Sequence, residues 1–563
     1  MRAEARAAQV RRRPRYVVTV GCLFTALLIR EICLATDVHL MWVRQPSVAH
    51  VLTEMELLRT DLTEIATVVD EVMLDKDSIT AMQRATGLLV LLESGLLEPH
   101  LSDAAPPDGR DDGPCAPSTL RDARRLARYS TASYGWAMLN SLFLPNTHSL
   151  PDVLASSLSD DTAELNERLA MRHTGASELL LAQWATTAAP SYLPAFFVAV
   201  DAHMRDLVVS IRGTGHPLDV AADLRAWPRS IRRTDGRSAL VHSGMHQAAL
   251  TLHELLLPRL ELWLASERFV GHGVTVVGHS LGGGTAALLA IELRAALPAA
   301  VRVRAFAMAT PAVLDLDSAR QASEIVTSIV AGADMVPSLC IASLQQLGRS
   351  CRTAYVVLEA RAARLAARTE AMLVRSGLGV LQWATGNWSA DGGRLGGASG
   401  AERSAGAGTD ELQLQLGERS FKQELRAALA NVSREAPAAP LRVHAGEGGP
   451  AIFEGALYPA GRICHLRARA PARADGHTLS RRWRKKPVDD GARAPAPAAP
   501  GPSCVARAVA NDAFSTIRIS PLAFSDHLPS RYEHILDECA LAAGAAPDAD
   551  LPRAPTQVPV RRF

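Results

Sequence analysis

The sequence predicts an α/β fold in which a mostly parallel β-sheet is covered by helices on both faces, with a helical region before it. Two observations support the sheet. Apolar, β-branched runs alternate with helical patterns between residues 196 and 340, as strands joined by helices do. A glycine-rich turn also separates the apolar run 274–277 from an alanine- and leucine-rich helix. The helical region is predicted over 47–101, where apolar residues recur at helical spacing.

The elements of the sheet follow from their local patterns. Two β-branched runs around the polar turn AHMR predict a hairpin, at 196–201 and 207–214. Further strands are predicted at 274–277, 302–311, 326–331 and 515–520, and helices at 246–264 and 318–325. Residues 102–118 are predicted to be a linker by their proline, glycine and aspartate content.

Composition restricts the class of protein. The chain of 563 residues is too long for one ordinary domain. Its net charge of +2 argues against a dedicated nucleic-acid binder. The eight cysteines include no C-x-x-C pair, so we expect mostly buried thiols and neither a zinc site nor a disulfide framework.

The N-terminus has the charge and apolarity pattern of a targeting segment. Six arginines and one acidic residue in 1–15 precede an apolar stretch at 16–29. We expect membrane association through a segment that resembles a signal anchor. The alternatives are an arginine-rich organellar presequence and a buried helix.

The turn after the run 274–277 reads Gly278-His279-Ser280-Leu281-Gly282. It lacks the spacing of a dinucleotide-binding loop, and no lysine follows as in a P-loop. It does match G-x-S-x-G, the nucleophile elbow. A serine at the tip of so tight a turn requires nearly side-chain-free neighbours two residues before and after it. Ser280 is therefore the predicted nucleophile, and the alternative is a plain tight turn.

A serine hydroxyl needs a base, and the base needs an orienting carboxylate. Asp334 ends a later predicted strand and is the predicted acid, with Asp315 and Asp317 as rivals. His527 lies on a loop after a predicted strand and is the predicted base. Four other histidines follow the acid in the chain, namely His444, His465, His477 and His534.

The oxyanion formed during attack needs two donors. The N–H of Leu281 at the start of the helix is one candidate, since a helix N-terminus carries partial positive charge. Thr214, at the end of the strand SIRGT, is the other. The alternative for Thr214 is an ordinary turn threonine.

Several segments together resemble the class 3 lipases, and within them the sn-1-specific diacylglycerol lipases. They are YSTASYGWAM, LVVSIRGTGHPLDVAADL, VHSGMHQAA, VTVVGHSLGGGTAALLA, FAMATPAVL, VTSIVAGADMVPSL, LYPAGRICHL and ISPLAFSDHLP, within about residues 125–345 and 440–540. The resemblance implies an α/β-hydrolase fold, with Ser280, Asp334 and His527 as its triad. It also implies that 215–229 lies over the site as a lid-like segment.

The resulting organisation has eight predicted segments. They are a targeting or anchor segment at 1–36, a helical region and linker at 37–118, the α/β core with nucleophile and acid at 119–347, a partly low-complexity insertion at 348–439, a core strand region at 440–466, a low-complexity basic insertion at 467–503, a core segment with the catalytic histidine at 504–540, and a flexible tail at 541–563.

The leading hypothesis is a serine lipase that converts diacylglycerol to a monoacylglycerol and a fatty acid at a membrane surface. The expected partner is a glycerolipid and not a nucleic acid. No cofactor is required by this chemistry, and no metal site is predicted. The alternatives are a phospholipase, galactolipid lipase or triacylglycerol lipase with the same triad, and a catalytically silent scaffold that binds lipid. The basic run RRWRKK at 481–486 either binds anionic headgroups or is a solvated charge cluster.

Overall fold

The computed structural model describes residues 81–96, 111–139, 162–384, 419–432, 442–444, 451–453, 455–468 and 504–544, apart from 188–190, 217–218, 220–221, 224, 233–235 and 521. The described residues divide into two compact units, one within 99–343 and 439–563 and the other within 73–98 and 344–438. The predicted targeting segment 1–36, the basic run 481–486 and His477 lie outside the described residues.

The first unit contains a nine-stranded sheet. The strands of the described residues are β1 Asp111–Pro114, β2 Glu178–Gln183, β3 Phe196–Asp201, β4 Asp206–Ile211, β5 Pro228–Arg232, β6 Ser238–His242, β7 Gly273–His279, β8 Val303–Met308, β9 Val326–Ala331, β10 Arg442–His444, β11 Ala451–Phe453, β12 Arg462–Ala468 and β13 Cys504–Val509. The sheet has the order β1-β13-β12-β9-β8-β7-β4-β3-β2, and two small hairpins pair β5 with β6 and β10 with β11.

The centre of the sheet is parallel and both of its sides are antiparallel. The strands β4, β7, β8, β9 and β12 pair in parallel, whereas β2, β3, β13 and β1 add antiparallel strands at the two sides. Parallel neighbours end at the same edge, so β4, β7 and β9 bring the loops that follow them together. The predicted α/β class with a mostly parallel sheet is confirmed.

Helices cover both faces of this sheet. The helices of the described residues are α1 Ala81–Glu93, α2 Pro117–Ala132, α3 Gly135–Met138, α4 Thr162–Thr174, α5 Ser243–Ala265, α6 Leu281–Ala296, α7 Leu316–Gln321, α8 Ile341–Ala384, α9 at 419–432, α10 Ala523–His527 and α11 Pro529–Ala542. Successive residues of β7 face opposite sides: Val276 joins a core with Leu252 of α5, and Val277 joins one with Tyr129 of α2 and Ile535 of α11.

The second unit is helical. The helix α1 meets α8 closely at Gly87, where a Cβ atom would lie 2.0 Å from the Cys351 carbonyl oxygen. An ion pair of 2.5 Å between Arg364 and Glu424 joins α8 to α9. Across the part of the chain that the structure describes, we find no helix with the length and apolarity needed to cross a bilayer.

The sheet begins earlier in the chain than the sequence predicts. The strand β1 lies within the predicted linker 102–118, where it pairs with β13. An edge strand of four residues needs only backbone pairing, so its composition of aspartate, glycine and proline gives no strand signal.

The expectation for the cysteines is wrong for four of them. Cys115 bonds to Cys464 across 349 residues, and Cys504 bonds to Cys539 across 35 residues. The Cα atoms of the pairs lie 6.2 Å and 4.9 Å apart, within the usual range for a disulfide. The folding of distant segments onto one sheet edge creates these pairs, and sequence spacing does not show it. Cys340 and Cys351 are buried and take no part in these disulfides, as expected.

The predicted strand 515–520 is also wrong. The chain leaves the sheet after β13 and enters a 3₁₀ turn at Asn511–Phe514, and 515–520 forms no strand. The reason is the Asn511 side chain, whose amide donates to the carbonyl oxygens of Pro459 and Gly461, both at 2.8 Å. These bonds turn the chain away from the sheet, so the β-branched run that follows lies in a loop.

Candidate active site

Ser280 lies in a strained turn between β7 and α6. Its φ is 57° and its ψ is −127°, a conformation that non-glycine residues rarely adopt. The turn is crowded, because a Cβ atom on Gly278 would lie 2.2 Å from the Gly282 carbonyl oxygen. A Cβ atom on Gly282 would lie 2.3 Å from the carbonyl oxygen of Ile211 in β4. The geometry is that of a nucleophile elbow.

His527 joins this serine to Asp334. His527 is the last residue of α10, and Asp334 lies three residues after β9. The His527 Nε2 lies 3.0 Å from the Ser280 Oγ, and the His527 Nδ1 lies 3.1 Å from each carboxylate oxygen of Asp334. The predicted acid, base and nucleophile are therefore brought together as one hydrogen-bonded chain.

The acid is held by groups beyond the histidine. The Tyr532 hydroxyl donates to the Asp334 carboxylate at 2.7 Å, and the backbone N–H of Val336 donates to it at 3.0 Å. Burial raises the pKa of Asp334, yet the His527 charge and these hydrogen bonds hold it below its ordinary value. The carboxylate therefore stays ionised next to the imidazole.

The charge of Asp334 acts on His527 in turn. Burial lowers the pKa of His527, but the Asp334 carboxylate raises it through its charge and its hydrogen bond, and the net shift is upward. A raised pKa makes the imidazole a stronger base toward the serine proton.

His279, between the glycine and the serine of the turn, fixes the backbone of His527. Its Nε2 donates to the His527 carbonyl oxygen at 2.7 Å, so its Nδ1 accepts from the Tyr134 hydroxyl at 3.0 Å. Burial, with a smaller contribution from His527, lowers the pKa of His279 to about 3. His279 is therefore neutral and holds its neighbour by hydrogen bonds alone.

The loop that carries the acid is also bonded to the helix α10 that carries the base. The Asp526 carboxylate accepts from the backbone N–H of Ala333 at 2.8 Å. Gly332 has a φ of 49°, and a Cβ atom there would lie 2.2 Å from the same carboxylate oxygen. Asp526 immediately precedes His527 in α10, so the loop after β9 and this helix are fixed together.

The predicted oxyanion donors follow two neighbouring parallel strands, β7 and β4. Leu281 is the first residue of α6, and Thr214 follows the neighbouring strand β4. The Thr214 hydroxyl donates to the Asp223 carboxylate at 2.5 Å. Burial raises the pKa of Asp223 to about 7, against the lowering effect of that hydrogen bond. Asp223 lies in 215–229, the segment expected to act as a lid, of which only parts are described.

The rival residues have other contacts. The Asp315 carboxylate accepts from the backbone N–H of Ser318 at the start of α7 and from that of Leu240. His465 donates to the Gly332 carbonyl oxygen at 2.8 Å, and burial lowers its pKa to about 4. His534 is exposed on α11. Among the described residues, no group of three His, Cys, Asp or Glu side chains is placed to hold a metal ion.

Sequence reasoning missed Tyr134, Tyr532 and Asp526. The tyrosines contact their partners across 145 and 198 residues, so no local pattern points to them. For Asp526, adjacency to the base was an available signal.

Comparisons with known proteins find similarity to lipases over part of the chain. Residues 208–343 match the family model described as Lipase (class 3). The mouse diacylglycerol lipase-beta is 34% identical over 156 residues, which are 27% of this chain and 23% of that protein. The human diacylglycerol lipase-alpha is 35% identical over 166 residues, which are 28% of this chain and 16% of that protein. The chain thus spans less than a quarter of the length of these relatives.

Solved structures give a more distant likeness. The triacylglyceride lipase of Rhizomucor miehei aligns at 17% identity over 40% of this chain and 76% of its own, with a TM-score of 0.28. A fungal lipase in complex with an inhibitor aligns at 18% identity over 40% and 76% of the two chains, with a TM-score of 0.29.

Proposed function

We propose that the chain is a serine lipase that hydrolyses an acyl ester of a glycerolipid. The premise is the match of residues 208–343 to the model of the class 3 lipase family. The observation that carries the proposal is the hydrogen-bonded chain from Ser280 through His527 to Asp334. These side chains lie at the edge of the sheet where parallel strands end, the usual place for catalytic groups in open α/β sheets.

The proposed reaction has two halves. His527 Nε2 takes the proton of the Ser280 hydroxyl while the oxygen attacks the ester carbonyl carbon. The backbone N–H groups of Leu281 and Thr214 hold the resulting oxyanion. His527 then gives its proton to the glycerol oxygen as the ester bond breaks, which leaves an acyl-enzyme. Water, deprotonated by the same histidine, releases the fatty acid and restores the serine.

Diacylglycerol is the proposed substrate, with a monoacylglycerol and a fatty acid as products. The support is the identity of 34–35%, over 156 and 166 residues, to proteins named diacylglycerol lipases. Phospholipids, galactolipids and triacylglycerols contain the same ester chemistry and are the alternatives for the substrate panel below.

A lipid surface is the proposed partner, and the segment formed by Leu522 and α10, which ends in the base, is the part that would meet it. Leu522 is 49% exposed and Phe524 is 41% exposed, and both lie within five residues of His527. Large apolar side chains beside a catalytic group suit contact with a bilayer that holds the substrate. Replacement of both by serine should reduce hydrolysis of diacylglycerol in vesicles more than hydrolysis of a soluble short-chain ester.

Leu262→Ser is the matched control for that double variant. Leu262 is 72% exposed, but it lies near the end of α5 that leads into β7, at the opposite edge of the sheet from Ser280. Equal losses on vesicles and on the soluble ester, or an equal effect of Leu262→Ser, would argue against a lipid-facing role for this segment.

The serine lipase proposal is tested with a fluorophosphonate probe and a panel of lipids. The probe should label wild type and not Ser280→Ala. Ser280→Ala and His527→Ala should each lower kcat by roughly 10⁴–10⁶-fold, with little further loss in the double variant, because the two residues act as a unit. Folded wild-type protein that is not labelled, beside a reactive control hydrolase, would identify a silent scaffold. The panel of diacylglycerol, triacylglycerol, phospholipid and galactolipid then selects the substrate.

A further inference from the structure

A buried carboxylate outside the triad collects five hydrogen bonds beside the loop that follows β4. Asp219 is fully buried. Its Oδ1 accepts from the hydroxyls of Tyr192 at 2.8 Å and Thr186 at 3.1 Å. Its Oδ2 accepts from the Arg212 guanidinium at 3.0 Å and from the backbone N–H groups of Gly215 at 3.0 Å and His216 at 2.9 Å. A carboxylate offers about four lone-pair sites, so this one is saturated by donors.

The two backbone donors directly follow Thr214. On the other side of Thr214, the chain is packed against the turn that holds the nucleophile. A Cβ atom on Gly213 would lie 2.1 Å from the Tyr134 hydroxyl and 2.4 Å from the His279 carbonyl oxygen. The peptide before Thr214 is thus fixed by packing, and the peptide after it is fixed by Asp219.

We propose that Asp219 is a positioning residue that fixes the Thr214 N–H in the direction needed to bind the oxyanion. This inference rests on the proposed function. An oxyanion hole lowers the barrier only if its donors are aimed before the charge develops. A backbone N–H on a loop has no rotamer to hold it, so its direction depends on the peptides on either side. Asp219 holds the following peptide because one carboxylate oxygen accepts from the backbone N–H groups of both Gly215 and His216.

The hydrogen bonds of Asp219 also link the loop after β4 to neighbouring segments of the chain. Arg212 is bonded to Asp219 and donates to the Thr186 hydroxyl at 2.5 Å, in the connection between β2 and β3. The Asp219 N–H donates to the His216 carbonyl oxygen at 2.9 Å, which closes the turn at the start of the segment 215–229. The Asp219 side chain therefore joins three parts of the chain. They are the loop that holds Thr214, the start of the segment 215–229, and the connection between β2 and β3.

Two substitutions at this position separate the role of the acceptor from that of the charge. Asp219→Ala removes every bond to the carboxylate. Asp219→Asn leaves a carbonyl oxygen that still accepts from Gly215 and His216, with its amide group toward Tyr192 and Thr186. Those hydroxyls can rotate and accept. The asparagine variant should therefore keep the loop in place, and the alanine variant should not.

Asp201→Ala is the matched control for loss of a buried carboxylate. Asp201 is also fully buried, and it accepts from Arg125 at 2.6 Å, from the Tyr129 hydroxyl at 2.8 Å and from the backbone N–H of Met204 at 2.9 Å. It ends β3, which runs antiparallel to β4, so it lies at the opposite edge of the sheet from Thr214. Its loss should destabilise the fold without moving the oxyanion donor.

The experiment measures kcat and KM on a soluble ester, the melting temperature, and the inhibition constant of a trifluoromethyl ketone. The Ser280 oxygen adds to the ketone carbon, the serine proton moves to His527, and the carbonyl electron pair becomes an oxyanion. Removal of an oxyanion donor costs about 10²–10³-fold in kcat. Displacement of one by Asp219→Ala should cost roughly 10–100-fold, with a KM within about threefold of wild type and an equal rise in the inhibition constant.

The outcomes are distinct. Asp219→Asn and Asp201→Ala should both keep kcat and the inhibition constant within about threefold of wild type. Folded Asp219→Ala with unchanged kcat and inhibition constant overturns the inference, and so does an equal loss in Asp201→Ala. If Asp219→Ala does not fold, Asp219→Ser replaces it, because the serine hydroxyl can accept from one of the two N–H groups. The same changes in kcat and in the inhibition constant then decide the outcome. Wild type that neither hydrolyses the ester nor binds the ketone overturns the proposed function itself.

Discussion

Gly282→Ala tests whether the position of the nucleophile elbow depends on close packing against the end of β4, the strand that precedes Thr214. The added Cβ atom would lie 2.3 Å from the Ile211 carbonyl oxygen and 2.8 Å from the carbonyl carbon of Arg212, where ordinary contact begins near 3.4 Å. Both obstacles are backbone atoms at the end of β4, so no side chain can turn away to make room. Either the elbow or the segment leading to Thr214 must move.

The structure sets the scale of the effect. Overpacking of a core contact typically costs about 1–3 kcal/mol, which corresponds to a fall of about 2–4 °C in melting temperature per kcal/mol for a unit of this size. Activity should fall further, because a displacement of about 1 Å of a catalytic group can cost roughly 10²-fold. We expect kcat to fall by about two orders of magnitude while the protein remains folded at assay temperature.

The assay compares kcat on a soluble ester with the melting temperature of the same preparation. Gly348→Ala is the control, because Gly348 lies inside α8 and no atom stands within 4 Å of the added Cβ. That substitution should be neutral or stabilise the helix by about 0.5–1 kcal/mol. Gly282→Ala with kcat within threefold of wild type would refute the reasoning, and a lower melting temperature with unchanged kcat would refute the link to the oxyanion donor.

Three further predictions follow from the electrostatics and the crosslinks. The value of kcat/KM should rise with pH as His527 loses its proton. Because the Asp334 carboxylate raises the pKa of His527, Asp334→Asn should move the midpoint of the residual activity to lower pH. An unchanged midpoint in the pH profile would contradict this. Burial raises the pKa of Asp223 from 3.8 to about 7, so the folded chain binds that proton more tightly than the unfolded chain, and its contribution to stability should be lost as pH rises from about 4 to about 7. Urea unfolding of Asp223→Asn should lack this loss, and an unchanged slope would exclude Asp223 as its source. Replacement of Cys504 and Cys539 by serine should lower the free energy of unfolding by about 2–4 kcal/mol, measured beside Cys340→Ser, and an equal unfolding free energy with free thiols in wild type would show that the pair is not bonded.

The central elements were predictable because their signals are local. The run before Ser280 is β-branched and apolar on both sides, as a strand buried on both faces must be. The sequence predicts the hairpin at 196–201 and 207–214, and it is observed at Phe196–Asp201 and Asp206–Ile211. The helix predicted at 246–264 is observed as Ser243–Ala265.

The errors arose where tertiary contacts decide the local conformation. The run 515–520 has the β-branched composition of a strand, but Asn511 directs the chain out of the sheet. The edge strand β1 has no strand composition and depends on pairing with β13.

The candidate site shows the same division. Turn and strand-end patterns predict Ser280, Asp334 and His527. In the structure His527 lies 3.0 Å from the Ser280 Oγ and 3.1 Å from the Asp334 carboxylate. Tyr532 and Asp219 act on that site through contacts that depend on the packed fold. A buried aspartate with five donors cannot be distinguished in the sequence from an ordinary loop aspartate.

The two disulfides indicate the redox conditions under which the fold forms. The bond from Cys115 to Cys464 joins the start of α2 to the sheet, and the bond from Cys504 to Cys539 joins β13 to α11, the helix that carries Tyr532. Such bonds form and persist in oxidising compartments such as the secretory lumen and the cell exterior. A chain that carries both bonds has therefore folded under oxidising conditions, and reducing conditions would leave α2 and α11 without these covalent links to the sheet.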